Sequence, residues 1–207
     1  LSETKNNQYG RMTTTTSYGT GSYYYYIIKN LNTIIELNSN EETMNEVSVL
    51  GFGDNANQIA VAKTLRAFFF AKLTDILGPI PYSEAFKGES EGIWSPKFDS
   101  QEYIYESLNK DLEEAYTQFN ESGSLSSAEI LYGGDISKWK KFNASLRMVM
   151  AIKLADVDPA NGKARFAKAY ADGGMTEVAD GFHYKFDANN ADYSAWMYYV
   201  GNMNNSS

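Results

Sequence analysis

RAFFFAKLTDILGPIPYSEA, residues 66–85, is the stretch on which the predicted fold depends. Its three consecutive phenylalanines belong to a helical pattern that we predict over residues 55–77, because apolar side chains recur there at intervals of three and four. Phe68 and Val61 lie outside that stripe, and a helix that is apolar on more than one side is usually buried between neighbours. We therefore predict a central helix within a helical stack. The stripe itself consists of Ala62, Leu65, Phe69, Leu73 and Ile76.

The end of this helix is also marked in the sequence. Gly78 suits the position after the last helical turn, and Pro79 cannot continue a helix. The segment YSEAFKGESEGIWSPKF, residues 82–98, follows without helical periodicity. We predict that this segment forms a long loop.

Periodicity and capping signals predict four more substantial helices. The first spans residues 22–38, and "EETMNEVSVL" after it is a candidate short helix. Residues 1–21 are predicted to form an irregular arm, 22–172 a helical scaffold and 173–207 an irregular region, all within one domain. The fold class is therefore all-α: a tetratricopeptide-like helical stack, or α-solenoid, with long irregular loops. The helix-start signals in chain order are Ser22, Asp99-Ser100 with Glu102 as a capping-box partner, Asp135 or Ser137, and Asp158-Pro159.

Each of these helices has a predicted packing face. The first carries a wide apolar stripe, and the last is expected to end at Gly173-Gly174. The predicted faces are, helix by helix, Tyr24, Ile27, Ile28, Leu31, Ile34, Ile35 and Leu37; Ile104, Leu108, Leu112, Ala115 and Phe119; Trp139, Phe142, Leu146, Val149 and Met150; and Ala164, Phe166, Ala167 and Tyr170.

Composition argues against several functional classes. The formal net charge of -8 argues against nucleic acid, whose binding depends on Lys and Arg, and against adhesion to anionic lipid. The chain has no Cys and one His, His183, so disulfides, Cys-based sites and multi-His zinc sites are excluded. No run approaches the ~20 apolar residues of a membrane-spanning helix, and no signal peptide is visible. From its two ends we expect a processed or partial chain.

Three segments of the chain resemble the SusD/RagB family in order and spacing. The first is AKTLRAFFFAKLTDILGPIPYSEAFKG, which is similar to that family's Arg-Ala helix and its Leu-x-Asp-x-x-Gly-x-x-Pro-Tyr turn. SPKFDSQEYIYESLNKDLEEAY and GGDISKWKKFNASLRMVMAIKL resemble the next two scaffold helices, and the likeness covers roughly residues 22–172. The matching positions of the first motif are Arg66, Ala67, Leu73, Asp75, Gly78, Pro81 and Tyr82.

The resemblance implies a lipid-anchored protein of the outer membrane at the cell surface of Bacteroidota-type bacteria. Such proteins bind oligosaccharides or other polar nutrients and sit over a SusC-like TonB-dependent transporter, without catalysis and without a cofactor. Two departures stand out. Family members begin with a lipidated Cys, which this chain lacks, and they are considerably longer. Part of a ligand site is therefore expected to lie outside this sequence.

Sugar binding uses a flat aromatic face together with a few polar groups, and two regions of the chain offer these. The first is SYGTGSYYYY, residues 17–26, just before the predicted first helix. Tyr18 and Tyr23 are its candidate ligand-binding residues, whereas Tyr24 and Tyr26 are expected to pack. The alternative for Tyr18 and Tyr23 is that they pack as well. The possible polar partners are Asn6, Asn7 and Arg11.

The tryptophans supply the remaining candidates. Trp94 stands in the polar stretch GESEGIWSPKF, where it either binds ligand or holds the loop against the helices. Trp196, in DYSAWMYY, either binds ligand or packs against residues outside this sequence. Trp139 lies in a periodic helical stripe, so we predict that it belongs to the core.

Other chemistries are weakly indicated. A glycosidase would need two facing carboxylates, but the acidic residues here stand in helical context and are expected to form an ordinary solvated face. The run Asp187, Asn189, Asp192 could hold Ca²⁺, yet Asx turns explain it better. Against the leading hypothesis of glycan capture stands a helical-repeat scaffold that binds a protein or peptide. The acidic residues considered are Glu41-Glu42, Asp111 and Glu113-Glu114.

Overall fold

The protein is a stack of α-helices joined by ordered loops. The computed structural model describes the backbone of residues 14–181 and the side chains of residues 24–181. It confirms the predicted all-α, tetratricopeptide-like fold. The helices are α1 Thr14–Ser39, α2 Val47–Leu50, α3 Asn55–Leu77, α4 Gly88–Glu91, α5 Gln101–Gln118, α6 Ile136–Ala155 and α7 Pro159–Ala171. A 3₁₀ turn spans Val178–Asp180, and two short strands, β1 Ile80–Pro81 and β2 Phe98–Asp99, pair antiparallel.

Helix α3 is the centre of the stack, as predicted, and its bounds agree with the sequence pattern. It packs against α1, α5 and α6. Gly78 ends it with a φ of 75°, and the Gly78 N–H donates to the carbonyl of Thr74. Of its predicted stripe, Leu73 is fully buried whereas Ile76 is 43% exposed. The helix therefore stops as its last turn leaves the core.

The triple phenylalanine links two core clusters. Phe70 is buried with Ile28 of α1 and Leu108 of α5. Phe68 contacts both that cluster and a second cluster around Trp139, and its ring lies 6.1 Å from the ring of Phe142. Three adjacent aromatic residues on one helix point in three directions, which is why this helix is apolar on more than one side.

Helix α1 differs from the prediction at its start. It begins at Thr14, so residues 14–21 are helical rather than part of an irregular arm, and Ser22 lies inside the helix. Extending a formed helix gains one backbone hydrogen bond per added residue, which offsets the low propensity of the Thr and Gly residues there. Tyr26, expected to pack, is 69% exposed. Tyr25, which the prediction omitted, points into the core instead.

The caps of the later helices follow the sequence with one exception. Asp135 accepts a hydrogen bond from the Lys138 N–H, and Asp158 caps α7 ahead of its first-turn proline. For α5 the cap is Ser100, which accepts from the Tyr103 N–H at 3.2 Å. Asp99 belongs to strand β2, so the predicted capping box with Glu102 was wrong.

The packing face of α7 was also predicted wrongly. Tyr170 is 70% exposed, while Gly162 and Ala169 are buried. A Cβ atom at Gly162 would lie 2.8 Å from the Cα of Ala155, so the small residue permits a close approach of α7 to α6. On α6, Val149 is likewise 49% exposed.

A buried amide joins three helices at the centre. Asn143 is fully buried, and its Nδ2 donates to Thr64 Oγ1 at 3.0 Å and to the Leu112 carbonyl at 3.1 Å. The Asn-Ala-Ser triplet that begins there is therefore inaccessible as a glycosylation acceptor. No helix within residues 14–181 is both long and apolar enough to cross a membrane.

Candidate functional site

The loop after α3 is closed at its base by a two-stranded ladder. Ile80 pairs with Asp99 and Pro81 pairs with Phe98. The Asp99 carboxylate then accepts hydrogen bonds from the Ser83 N–H at 2.7 Å and the Ser83 hydroxyl at 3.1 Å. Because both ends of the loop are joined in this way, residues 82–97 leave the helical stack and return to it at one point.

Asp99 is buried yet ionised. Burial pushes the pKa of its carboxyl upward, but the hydrogen bonds from Ser83 and the charge of Lys97 outweigh that effect and hold the pKa below its usual value. A carboxylate that accepts several donors acts here as a fixed anchor for the loop.

Tyr25 of α1 contacts the start of this loop from the core side. The Tyr25 hydroxyl donates to the Pro81 carbonyl, and the Tyr25 ring lies 5.7 Å from the ring of Phe86. Burial raises the pKa of Tyr25, so the hydroxyl remains a donor. Phe86 adopts a φ of 69°, which is costly for a residue with a Cβ and persists only where surrounding contacts fix it.

Two residues of the first family motif, Arg66 and Tyr82, both lie beside the carboxylate of Asp111. Arg66 donates to Asp111 of α5 at 2.7 Å and to Asn32 of α1 at 3.0 Å. The pKa of Tyr82 is raised by burial and by the neighbouring Asp111 carboxylate. Arg66 therefore joins α1, α3 and α5 directly below the turn that Tyr82 starts.

Trp94 lies at the outer end of this loop. The four-residue helix α4 ends at Glu91, and the following Gly92 has a φ of 72°, so the chain turns and the indole lies over Gly88. A Cβ at Gly88 would come within 2.9 Å of Trp94 Cε3, so only a glycine allows this approach. The side chain is still 77% exposed. Trp94 thus contacts the loop itself and offers most of its surface to solvent.

Two further aromatic residues of this region were not singled out from the sequence. Phe98 is 70% exposed and Tyr103 is 49% exposed. Phe98 faces outward because its strand neighbour Asp99 faces inward, but a strand of two residues is too short for this alternation to be visible in the sequence. The Tyr103 ring lies 6.3 Å from the ring of Tyr82.

The other predicted ligand residues lie where the structure gives no side-chain position. The backbone of Tyr18 and Tyr23 belongs to α1, but their side chains are not among the described ones. Trp196 lies outside the described residues, as do His183 and the segment from Asp187 to Asp192. Trp139, predicted to be core, is fully buried, and its indole N–H donates to Glu129 at 3.2 Å.

The candidate carboxylates of α5 are engaged in ion pairs between helices. Glu113 contacts Lys168 at 2.7 Å, and Glu114 contacts Lys63 at 3.1 Å. Asp111 is paired with Arg66 as above, so these three partly exposed carboxylates also bridge neighbouring helices, whereas Glu41 and Glu42 are exposed as expected. Hydrogen bonds from Lys168 and Asn109 hold the pKa of Glu113 below its usual value although burial opposes them.

A polar hollow of about 680 Å³ lies where α5 begins, near the junction of α6 and α7. Two of its four carboxylates are also paired: Asp75 accepts from Lys153 and from the Tyr105 hydroxyl, and Glu106 accepts from Arg165 with both oxygens at 2.5 Å. Among the residues with described side chains, no group of three or more His, Cys, Asp or Glu is arranged to hold a metal ion.

Comparisons with known proteins agree with this architecture. The SusD-like family described as "Starch-binding associating with outer membrane" matches residues 1–205. A solved structure named as a chitin-binding protein is 32% identical with a TM-score of 0.68, over 84% of this chain and 35% of its own. A SusD-like protein from Bacteroidetes is 28% identical with a TM-score of 0.70, over 91% of this chain and 33% of its own. A SusD homologue from Bacteroides uniformis is 28% identical with a TM-score of 0.64, over 77% of this chain and 31% of its own.

A comparison with curated protein sequences gives no match. The chain spans about a third of the length of the solved relatives above. The family match covers nearly all of the 207 residues, and the helical order agrees with it. This chain belongs to the SusD-like family, whose description is starch binding in association with the outer membrane.

Proposed function

We propose that this chain is part of a cell-surface protein that captures oligosaccharides without cleaving them. The observation that carries the proposal is Trp94, a largely exposed indole on a loop whose base is fixed by Asp99. An exposed indole offers a flat apolar face with a polar edge, which suits a partner that is itself partly apolar and partly polar. The apolar face of a sugar ring is such a partner, because stacking buries the indole while the hydroxyl groups of the sugar remain hydrated.

Polar groups suited to sugar hydroxyls lie in the same loop. Lys87 and Glu91 form an ion pair at 3.1 Å, and Glu84 accepts from the Lys97 N–H at 2.9 Å. These charged groups are exposed or half-buried and can donate or accept without unfolding the loop. An open site of this kind leaves much of the ligand wet, so the affinity is expected to be modest.

The ligand class follows from the family description and from one relative. We take β-linked chitooligosaccharides and α-linked maltooligosaccharides as the first probes, since one similar structure is a chitin-binding protein and the family is described as starch-binding. We also propose Tyr18 and Tyr23 as ligand-binding residues. Delivery to a SusC-like TonB-dependent transporter, through a lipid anchor at the outer-membrane surface, is the role that such capture would serve.

We propose no turnover for this chain, and the pairing of three of its carboxylates supports that proposal. A glycosidase holds two carboxylates about 5–10 Å apart with a free approach for the sugar. Asp111, Glu113 and Glu114 instead neutralise Arg and Lys side chains of neighbouring helices. Removing any of them from its ion pair would leave a cation without its partner.

The test is a fluorescence titration of the chain with each oligosaccharide, read at the tryptophans. Saturable quenching that Trp94→Ala abolishes, with no shortened product by mass spectrometry, supports the proposal. Tyr170→Ala is the matched control because Tyr170 is also an exposed aromatic residue but lies on α7. Binding that survives Trp94→Ala overturns the assignment of the site, and product formation overturns the non-catalytic role. A complete lack of response would direct the search to peptides.

A further inference from the structure

Phe86 combines a strained backbone with a position just before the turn that carries Trp94. In the described part of the chain it is the only non-glycine residue with a positive φ, at 69°. An aromatic residue is disfavoured there because its Cβ crowds the backbone, and Gly, Asn or Asp is the usual occupant. Strain of this kind is concentrated at functional sites. The contacts on both sides of Phe86 therefore indicate what the strained conformation achieves.

The ring of Phe86 is held by the core. It packs against the cluster that α1, α3, α5 and α6 form, and its centroid lies 5.7 Å from that of Tyr25 with an interplanar angle of 56°. Tyr25 in turn is fixed by its hydrogen bond to the Pro81 carbonyl. The backbone before Phe86 is closed by a turn, in which the Ala85 N–H donates to the Tyr82 carbonyl at 3.2 Å. Burial of the ring therefore offsets the unfavourable φ.

The chain next forms a compact turn that ends at Trp94. The Lys87 carbonyl accepts hydrogen bonds from the Glu91 N–H at 3.0 Å and from the Ile93 N–H at 3.1 Å. The Trp94 N–H donates to the Gly92 carbonyl at 3.2 Å. Because these bonds join the two ends of the turn, its orientation is set by the residue that precedes Lys87.

Trp94 lies against the start of the same turn. A Cβ at Gly88 would be 2.9 Å from Cε3 and 3.0 Å from Cζ3 of Trp94, so one α proton of Gly88 points at the six-membered ring of the indole. Gly88 follows Phe86 by two residues. A rotation of the backbone at Phe86 therefore moves the turn and the indole together.

We propose that Phe86 is a positioning residue for Trp94: packing of its ring holds the backbone at a positive φ, and that conformation orients the indole for sugar stacking. The proposal rests on glycan capture by Trp94 and adds a residue that does not touch the ligand. A platform that is fixed in advance loses less conformational entropy on binding than a mobile one. Phe86 thus provides the preorganisation that an open site needs.

The position of the indole can be measured without a ligand, by NMR of the 207-residue chain. The ring current of Trp94 should shift a Gly88 α proton upfield, and Trp94→Ala gives the value without the ring. We expect Phe86→Ala to lose most of this shift and Phe86→Tyr, which keeps an aromatic ring, to retain it. Phe69→Ala is the matched control that should also retain it, because Phe69 packs against the same cluster but lies on α3.

Three outcomes of the NMR comparison overturn the proposal. They are a shift that survives in Phe86→Ala, a shift that Phe69→Ala loses to the same extent, and a shift that is absent from the unchanged protein.

Phe86→Gly covers the case in which Phe86→Ala does not fold. Glycine adopts a φ of about 69° without strain, yet it leaves the backbone free to adopt other conformations. The variant should therefore fold and still lose the upfield shift. Retention of the shift in Phe86→Gly would show that the turn is oriented without the ring, which overturns the proposal.

Calorimetric titration with maltooligosaccharides and chitooligosaccharides measures the consequence for capture. We expect an affinity about tenfold weaker in Phe86→Ala, which corresponds to about 1.4 kcal/mol, and an unchanged affinity in Phe86→Tyr and Phe69→Ala. Equal affinity in Phe86→Ala, despite a lost ring-current shift, overturns the role of Phe86 in capture. If the unchanged protein binds neither class, the proposed function fails, and the NMR comparison still decides whether Phe86 positions the indole.

Discussion

The carboxylate of Asp99 accepts the backbone N–H of Ser83 at 2.7 Å, across the base of the loop that carries Trp94. This bond connects strand β2, which precedes the cap of α5, to the first residues after the exit turn of α3. The Asp99 side chain is 7% exposed, so the anchor is protected from water. The position of the exposed tryptophan therefore depends on a buried acid that does not touch it.

Asp99→Asn should destabilise the protein by about 1–3 kcal/mol, because the half-buried Ser83 donors lose a charged acceptor. Urea unfolding followed by circular dichroism measures the change. Glu91→Gln is the control, since Glu91 forms an exposed ion pair with Lys87 that is worth at most about 1 kcal/mol. If the two variants lose equal stability, the anchor role of Asp99 is wrong.

The pH dependence of stability should show a contribution from Asp180. The hydrogen bond from Lys141 and the N–H of Thr176 lower the pKa of Asp180 to about 2. Because the folded pKa lies below the unfolded value of about 3.9, its contribution is full above that value and is lost as the pH falls towards 2.

The comparison to make is between the unchanged protein and Asp180→Asn in chemical denaturation at pH 7 and at pH 2.5. The unchanged protein should be the more stable one at pH 7, and the difference should shrink at pH 2.5. Lys163→Gln, at an exposed position of α7, is a control that should leave the pH dependence unaltered. A difference that stays constant with pH would show that Asp180 has an ordinary pKa.

Particular residues show how much of the fold could be predicted from the sequence. The bounds of α3, its Gly78 cap and the burial of Trp139 were predicted correctly, because each depends on spacing or on local backbone chemistry. The start of α1 and the packing face of α7 were not. Gly162 illustrates the reason: whether a small residue marks a weak helix or a close helix crossing depends on what lies opposite, which no local pattern contains.

The candidate site could be predicted from the sequence only where it depends on local signals. Trp94 was singled out because a tryptophan in a polar loop is unusual, and the structure places it largely in solvent. Asp99 was expected to cap α5 and instead accepts a hydrogen bond from Ser83. A carboxylate just before a helix can accept either from the first N–H groups of that helix or from a neighbouring loop. Phe98 was missed because a two-residue strand is too short to show alternation.

Gly162→Val should destabilise the protein by about 1–3 kcal/mol, because the new side chain forces α7 away from α6. Its Cβ would lie 2.8 Å from Ala155 Cα, a backbone atom that cannot move independently. Ala164→Val, at an exposed position of the same helix, should cost no more than the helix-propensity difference of under about 1 kcal/mol. Thermal unfolding distinguishes the two, and a tolerated Gly162→Val would mean that the helices are less closely packed than described.

Gly88→Ala should alter ligand capture without altering the fold. The added methyl group would lie 2.9 Å from Trp94 Cε3, so the indole must move, whereas the backbone of α4 accepts alanine. We expect a stability change within about 0.5 kcal/mol, as for other surface substitutions, together with a changed tryptophan emission spectrum and a several-fold weaker response to whichever oligosaccharide binds. Glu89→Ala, an exposed change in the same short helix, should leave both signals intact. Unchanged binding in Gly88→Ala, alongside lost binding in Trp94→Ala, would show that the indole is needed but that its position over Gly88 is not.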